Sequence, residues 1–345
     1  DVPEWFVDGK LGVWFHWGVP SAADENRPND GSHYGRRMYS VVPDDYDGEM
    51  GMSETLTKWH TERYGHPSEF GYEDLVPLFK AEKWDPEALV QYVKHKGARF
   101  IMPVACHHDN FDMYDSSHPW NAVKMGPKRD TLKEWKAAAT KHGLKFGVST
   151  HLYWSPRFFA NARKYQKPGT LEWKLFNMDY DQRGYATQDS WNEHWYARCW
   201  EIIDKYDPDM FNNDSPYPKI KGGKGLGIKL FTDYLNRDLK ENNGEQTVVL
   251  SFKDGNANRE AFTYNLERGS SGVIQPFHGS RPASMSTISM TPGSCSSRLS
   301  MLSPQHTRSG KGSPAASASS RPCLVSSTQE FRFSSGFPYC LRSCS

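Results

Sequence analysis

The chain has 345 residues, 14% of them aromatic, and its 42 lysines and arginines nearly balance 41 aspartates and glutamates. That balance leaves no basic surface for nucleic acid or an anionic membrane, and the aromatic content excludes a disordered chain. The near-neutral sum conceals two unlike regions. Residues 1–277 carry a net charge of −5 and all 12 tryptophans, whereas His278 to Ser345 hold 20 serines, one acid (Glu330) and seven bases, a net charge of +6. No run of 18 apolar residues occurs, so no helix is expected to span a bilayer. The start, Asp1-Val2-Pro3, lacks an initiator methionine and reads as a mature form or a fragment, with any signal peptide out of view. Of six cysteines only Cys106 and Cys199 fall in the acidic body, and the spacing fits neither a zinc motif nor a disulfide framework.

Along the body, apolar bursts alternate with helical patterns. Leu11 to Phe15 reads as a strand followed by His16. Residues 84–97 read as a helix, with Asp85 as cap, Pro86 at the first position and Gly97 at the exit. Arg99 to Ala105 is the next strand, leading into Cys106-His107-His108-Asp109. A helix from Asp130 to His142 precedes the strand Leu144 to Ser149 and then His151, Tyr153 and Trp154. A helix over about 191–205 leads to the strand Asp209 to Asn213 and to Asp214; a helix near 227–240 leads to the strand Thr247 to Phe252.

Strands alternating with helices of this length predict an α/β fold with a mostly parallel sheet. His16, His107, His108, His151, Tyr153 and Asp214 all fall at or just after a strand's carboxyl end. In a (β/α)8 TIM-type barrel those ends share the face that carries the chemistry. A doubly wound sheet also binds at strand ends, but the nucleotide-binding glycine loop it usually carries is missing, since Gly222-Gly223-Lys224-Gly225 lacks the required spacing. His16 alone reads equally as a core histidine, and Asp214 alone as a turn former before Ser215-Pro216. Two adjacent histidines face one pocket only from a loop, because neighbours in an extended segment point opposite ways. Three or four histidines with an aspartate are also a possible zinc set, yet no His-Glu-x-x-His helix pair occurs and the first strand has a single histidine, so no metal and no cofactor are expected. Trp17, Tyr153 and Trp154 suit a sugar better: aromatic faces pack on a pyranose while His and Tyr bond its hydroxyls.

These segments together resemble the retaining α-L-fucosidases of glycoside hydrolase family 29. The stretches are Trp5-Phe6 with Lys10-Leu11-Gly12-Val13-Trp14-Phe15-His16-Trp17-Gly18; Cys106-His107-His108-Asp109-Asn110-Phe111, with Asn for the family's Gly; Tyr64 to Phe70 with Trp84-Asp85-Pro86; and Tyr206-Asp207-Pro208-Asp209-Met210-Phe211-Asn212-Asn213-Asp214. The resemblance spans most of residues 3–277. It implies a retaining exo-glycosidase acting on terminal α-L-fucose of a fucosylated glycan, with Asp214 as nucleophile and a secreted or periplasmic location. It implies that His16, Trp17, His107 and His108 line the fucose subsite, and His151, Tyr153 and Tyr34 are taken with them. Ser32-His33-Tyr34 stands where the family often has Glu-Trp-Tyr, and Asn212-Asn213 where it has Trp-Phe. Retention needs a second carboxyl group as acid/base; Glu267 in Glu267-Arg268-Gly269 is the candidate, with Glu260 and Glu245 behind it. A fucose-binding pseudoenzyme and a metal-dependent barrel hydrolase are the alternatives.

Beyond Phe277 the resemblance stops. Residues 278–345 read as a Ser-rich low-complexity tail, disordered or frame-shifted. Phe277-His278-Gly279-Ser280, read from the last base of the Phe277 codon, admits Pro-Trp-Gln, the triplet that the resembled branch carries there. On this reading the barrel is incomplete at its C-terminal end.

Overall fold

The computed structural model describes residues 2–23, 33–40, 52–167, 169–176, 189–214, 225–252, 263–264, 284–291, 297–299, 329–331 and 340–343. Its strands are β1 (Leu11–His16), β2 (Phe100–Cys106), β3 (Lys145–Thr150), β4 (Met210–Asn213), β5 (Val249–Phe252), β6 (Thr263–Tyr264), β7 (Ser284–Thr291), β8 (Ser297–Leu299), β9 (Gln329–Phe331) and β10 (Cys340–Ser343). Eight of them form one sheet in the order β10-β7-β1-β2-β3-β4-β5-β6, while β8 and β9 pair separately. From β7 to β6 every pairing is parallel, and β10 adds antiparallel to β7. The chain is therefore an α/β protein with a parallel sheet and helical crossovers, as the sequence reading expects. β7 returns to the free side of β1, the placement from which a barrel closes; among the described residues β6 and β10 are the sheet's two ends. Strands β7 to β10 fall in the stretch assigned to the tail. Thr287, Ile288 and Thr291 give β7 its β-branched content, and the open edge of β1 offers the backbone partners.

Local rules set the helix ends. The helix Pro86–His95 starts where the Asp85 carboxylate accepts the Ala88 N–H at 2.9 Å, with proline at its first position. The helix Thr131–Lys141 repeats the device, Asp130 accepting the Lys133 N–H at 2.9 Å. Leu89, Val90 and Val93 on the first helix, and Leu132, Trp135 and Ala139 on the second, recur at helical spacing and bury against the sheet. The longer helices Asp189–Tyr206 and Leu226–Glu241 lie where the sequence reading places them.

Strand alternation sorts side chains to two sides. Val13, Phe15, Ile101, Phe146, Val148, Phe211 and Leu250 face the helices. Phe100, Trp14, Met102, Val104, Met210 and Val249 face the other way, into the sheet's concave interior. Gly12 allows that packing: a Cβ there would lie 2.0 Å from the Phe100 ring. The registers turn the interior into rows. Trp14, Met102, Gly147, Met210 and Val249 run across five strands, and two residues further on come His16, Val104, Ser149, Asn212 and Ser251. The amino-terminal row is apolar and the carboxyl-terminal row is largely polar. Over the carboxyl edge the connecting segments form a second core that includes Tyr34, Met38, Tyr39, Tyr72, Phe111 and Phe159.

Candidate active site

The site begins with an irregularity in β2. Its register against β3 shifts between Val104 and Cys106, so Ala105 and Cys106 both join the helix-facing core. One extra residue reverses the alternation. His107, which regular pleating would send outward, instead turns toward His151, their ring centroids 4.3 Å apart. The backbone then leaves the strand, and His108 stays on the same side, 4.5 Å from His107, its Nδ1 at 2.8 Å from the His151 carbonyl oxygen. Both histidines thus face one site from a loop, which is the arrangement their adjacency requires.

His16 ends β1 and meets His151 at 5.1 Å and His107 at 5.8 Å between ring centroids. One ring nitrogen from each of His16, His107 and His151 lies within 4.8 Å of the others. Asp214 follows β4, and its N–H donates to the Thr150 carbonyl at 2.9 Å, extending the β3–β4 ladder by one residue. Its Oδ2 lies 3.1 Å from His151 Nδ1, and both side chains are almost fully buried. A carboxylate this buried needs a partner, and the His151 imidazole is the polar group beside it. Below them Asn212 donates from Nδ2 to Ser149 Oγ at 2.9 Å. Of the two asparagines before Asp214, Asn212 thus floors the interior.

Three expected residues are placed elsewhere. Tyr34 is fully buried and its hydroxyl meets His60 Nδ1 at 2.6 Å, in the core above the sheet. Tyr153 packs among the helix-facing residues and donates to Asn192 Oδ1 at 3.0 Å. Trp17 stacks on Trp84 at 4.1 Å and meets Phe79 at 5.1 Å, bridging the two cores. Trp17 and Tyr153 stand just beyond strand ends and Tyr34 opens a short helix, positions that gave no sign of which way each ring turns. The residue that the structure brings in is His33, whose ring lies 6.3 Å from His107 and 6.1 Å from His108. Phe158, 5.6 Å from His108, and the half-buried Trp154, 6.5 Å from it, complete the rim. Glu267 and Glu260 lie outside the described residues. Glu245 is exposed and precedes β5, at the sheet's amino edge, opposite the histidines.

A buried polar network holds the histidine loop. Arg198, on the helix Asp189–Tyr206, pairs with Asp112 at 2.6 Å, donates to Asn110 Oδ1, and approaches Cys106 Sγ at 3.4 Å. Asn110 sits at φ +60°, a left-handed conformation that asparagine tolerates better than other residues with a side chain, which explains how it stands in for glycine. On the loop's other side Tyr72 donates to Asp109 Oδ2 at 2.6 Å. Burial pushes the Asp109 carboxyl up to about 6, with Tyr72 and the Phe111 N–H pulling against that rise. None of Arg198, Tyr72 and His33 stands at a strand end, the signal on which the sequence reading relied.

A family model described as Alpha-L-fucosidase matches residues 1–287. Tissue alpha-L-fucosidase of Rattus norvegicus is 26% identical over 220 residues, 63% of this chain and 40% of the relative. Plasma alpha-L-fucosidase of the same species is 29% identical over 268 residues, 74% of this chain and 48% of the relative. Among solved structures, the Thermotoga maritima alpha-fucosidase in complex with a mechanism-based inhibitor superposes with a TM-score of 0.56 at 25% identity, covering 74% of this chain and 54% of that one. The chain spans about half or less of the length of these relatives. With the match over residues 1–287 and the parallel sheet that carries His16, His107, His151 and Asp214 at one edge, the chain belongs to the alpha-L-fucosidase family.

Proposed function

We propose that this chain is a retaining exo-glycosidase for terminal α-L-fucose on a fucosylated glycan, with Asp214 as nucleophile. The observation that supports the reading is the buried Asp214 carboxylate beside His151, ringed by His16, His107 and His108. In the first step an Asp214 oxygen bonds to the anomeric carbon, the bond to the aglycone oxygen breaks, and an acid protonates that oxygen. In the second, water attacks the glycosyl ester with the same group acting as base, freeing fucose and the carboxylate. Glu267 is the proposed acid/base, and retention asks that its carboxyl stand about 5–5.5 Å from that of Asp214. The imidazoles bond the sugar hydroxyls, and Phe158 and Trp154 offer it apolar surface. Trp17, Tyr34 and Tyr153 support the walls from behind.

The same reading assigns residues 1–277 to the catalytic body and 278–345 to a frame-shifted remnant. The abrupt change in acids, serines and tryptophans supports the division. Sequencing the gene across codons 270–285 tests it, and an intact frame rejects it. For the activity, the full chain is assayed with an aryl α-L-fucoside beside Asp214→Asn. The expected outcome is turnover by the native chain and a loss of at least ~10³-fold in kcat for the variant, with fucose binding retained. Normal turnover by the variant removes Asp214 from its role. Fucose binding without turnover by the native chain makes it a sugar-binding protein.

A further inference from the structure

We propose that His16, His107 and His151 bind a zinc-class divalent cation at the floor of the pocket, and that this cation excludes the sugar. Three ring nitrogens within 4.8 Å of one another already approach a ligand triangle. Around tetrahedral zinc, with Zn–N of about 2.0–2.1 Å, neighbouring nitrogens stand roughly 3.3 Å apart. The difference falls to rotation about χ2 of His16 and His107, both half-buried, a torsion with a broad well.

The surroundings favour such a cation on two further counts. His151 Nδ1 stands 3.1 Å from an Asp214 carboxylate oxygen, so a negative charge lies beside the ligand triangle and favours a cation there. His151 is also held from outside its ring: its N–H donates to the Cys106 carbonyl at 2.8 Å, and its own carbonyl lies 2.8 Å from His108 Nδ1. The ligand atoms are all imidazole nitrogens, which suit zinc, cobalt or copper and give little to calcium or magnesium, whose ligands are oxygens. Three ligands leave a fourth position open toward the pocket. A cation there takes the Asp214 carboxylate as its neighbour, so on the fucosidase reading it competes with the sugar for the same carboxylate.

The competition with sugar rests on the proposed fucosidase reading; the binding of the cation does not. The full chain, stripped with EDTA and dialysed, is titrated with cobalt(II) chloride and followed by its visible d–d absorption. We expect one equivalent to give the intense bands of a tetrahedral site, with zinc chloride abolishing them stoichiometrically. His16→Asn and His107→Asn, each checked for native near-ultraviolet circular dichroism, are expected to weaken cobalt binding at least tenfold. Weak octahedral-type bands, or undiminished binding in both folded variants, overturn the site. L-Fucose at saturation is expected to weaken cobalt binding at least tenfold, and zinc to raise KM for an aryl fucoside with kcat unchanged. Cobalt binding indifferent to fucose overturns the shared pocket. A chain without turnover that still shows the cobalt bands leaves the cation site standing and rejects only the fucosidase reading.

Discussion

Two rows of side chains inside the same sheet differ by only two residues along each strand. Trp14, Met102, Gly147, Met210 and Val249 make an apolar row, stabilised by burial alone; His16, Val104, Ser149, Asn212 and Ser251 make a largely polar one. The apolar row is part of a barrel-type interior that any branched or aromatic side chains of the right volume fill. The polar row, and the His107, His151 and Asp214 layer beyond it, carry polar contacts of their own, Asn212 with Ser149 and Asp214 with Thr150 and His151. The loop that follows His107 and His108 is held from outside the sheet, by Arg198 from a helix at Asp112 and by Tyr72 from the overlying core at Asp109. Stability tolerates repacking near the amino edge and depends on single polar contacts near the carboxyl edge.

The largest effect therefore belongs to Arg198. Removing its guanidinium by Arg198→Met leaves Asp112, 0% exposed, as a buried charge without its ion-pair partner. Breaking one side of a buried pair costs about 3–5 kcal/mol. Denaturant unfolding of the single variant should show that loss, while Arg198→Met combined with Asp112→Leu should recover most of it. If the double variant is as unstable as the single one, the cost arises from shape and not from charge, and the contrast between the two edges of the sheet fails.

How much of this was legible in sequence follows the same division. The strands, the Asp85 and Asp130 caps and the residues at the carboxyl edge are written locally, in period-two and period-3.6 patterns and in capping residues. So the parallel sheet and the grouping of His16, His107, His108, His151 and Asp214 could be read from one dimension. The bulge at Val104–Cys106 could not, because a shift of one residue leaves the composition of β2 unchanged. Tyr34, Tyr153 and Trp17 stand at the expected positions in the chain, but long-range contacts with His60, Asn192 and Trp84 decide where their rings point. His33 enters for the complementary reason: the short helix Tyr34–Arg37 buries Tyr34 and leaves the preceding residue over the histidines.

Asp109 gives a smaller effect with a pH signature. Burial raises its carboxyl from 3.8 to about 6. The unfolded chain therefore releases this proton first, and the folded chain holds it through the interval between those values. Stability is full below pH 4, falls as pH rises through 4 to 6, and is level above. A shift of this size corresponds to about 3 kcal/mol. Asp109→Asn cannot ionise, so the difference in unfolding free energy, native minus variant, should fall by that amount between pH 4 and 6.5. A difference independent of pH would show that Asp109 stays ionised, with its hydrogen bonds from Tyr72 and Phe111 outweighing burial.

The smallest effect lies on the locally specified side of the comparison. Asp85→Ala removes the acceptor for the Ala88 N–H, worth about 1 kcal/mol. Leu89, Val90 and Val93 still bury against the sheet, so the helix Pro86–His95 persists. Asp85→Asn should cost almost nothing, because the amide oxygen accepts the same bond. The Asp85→Ala loss should show in Tm alone, with the near-ultraviolet circular dichroism unaltered. The same Asp→Asn change is thus silent at the rim of a helix and pH-dependent beneath the histidine loop, because water screens the first carboxylate and the fold desolvates the second.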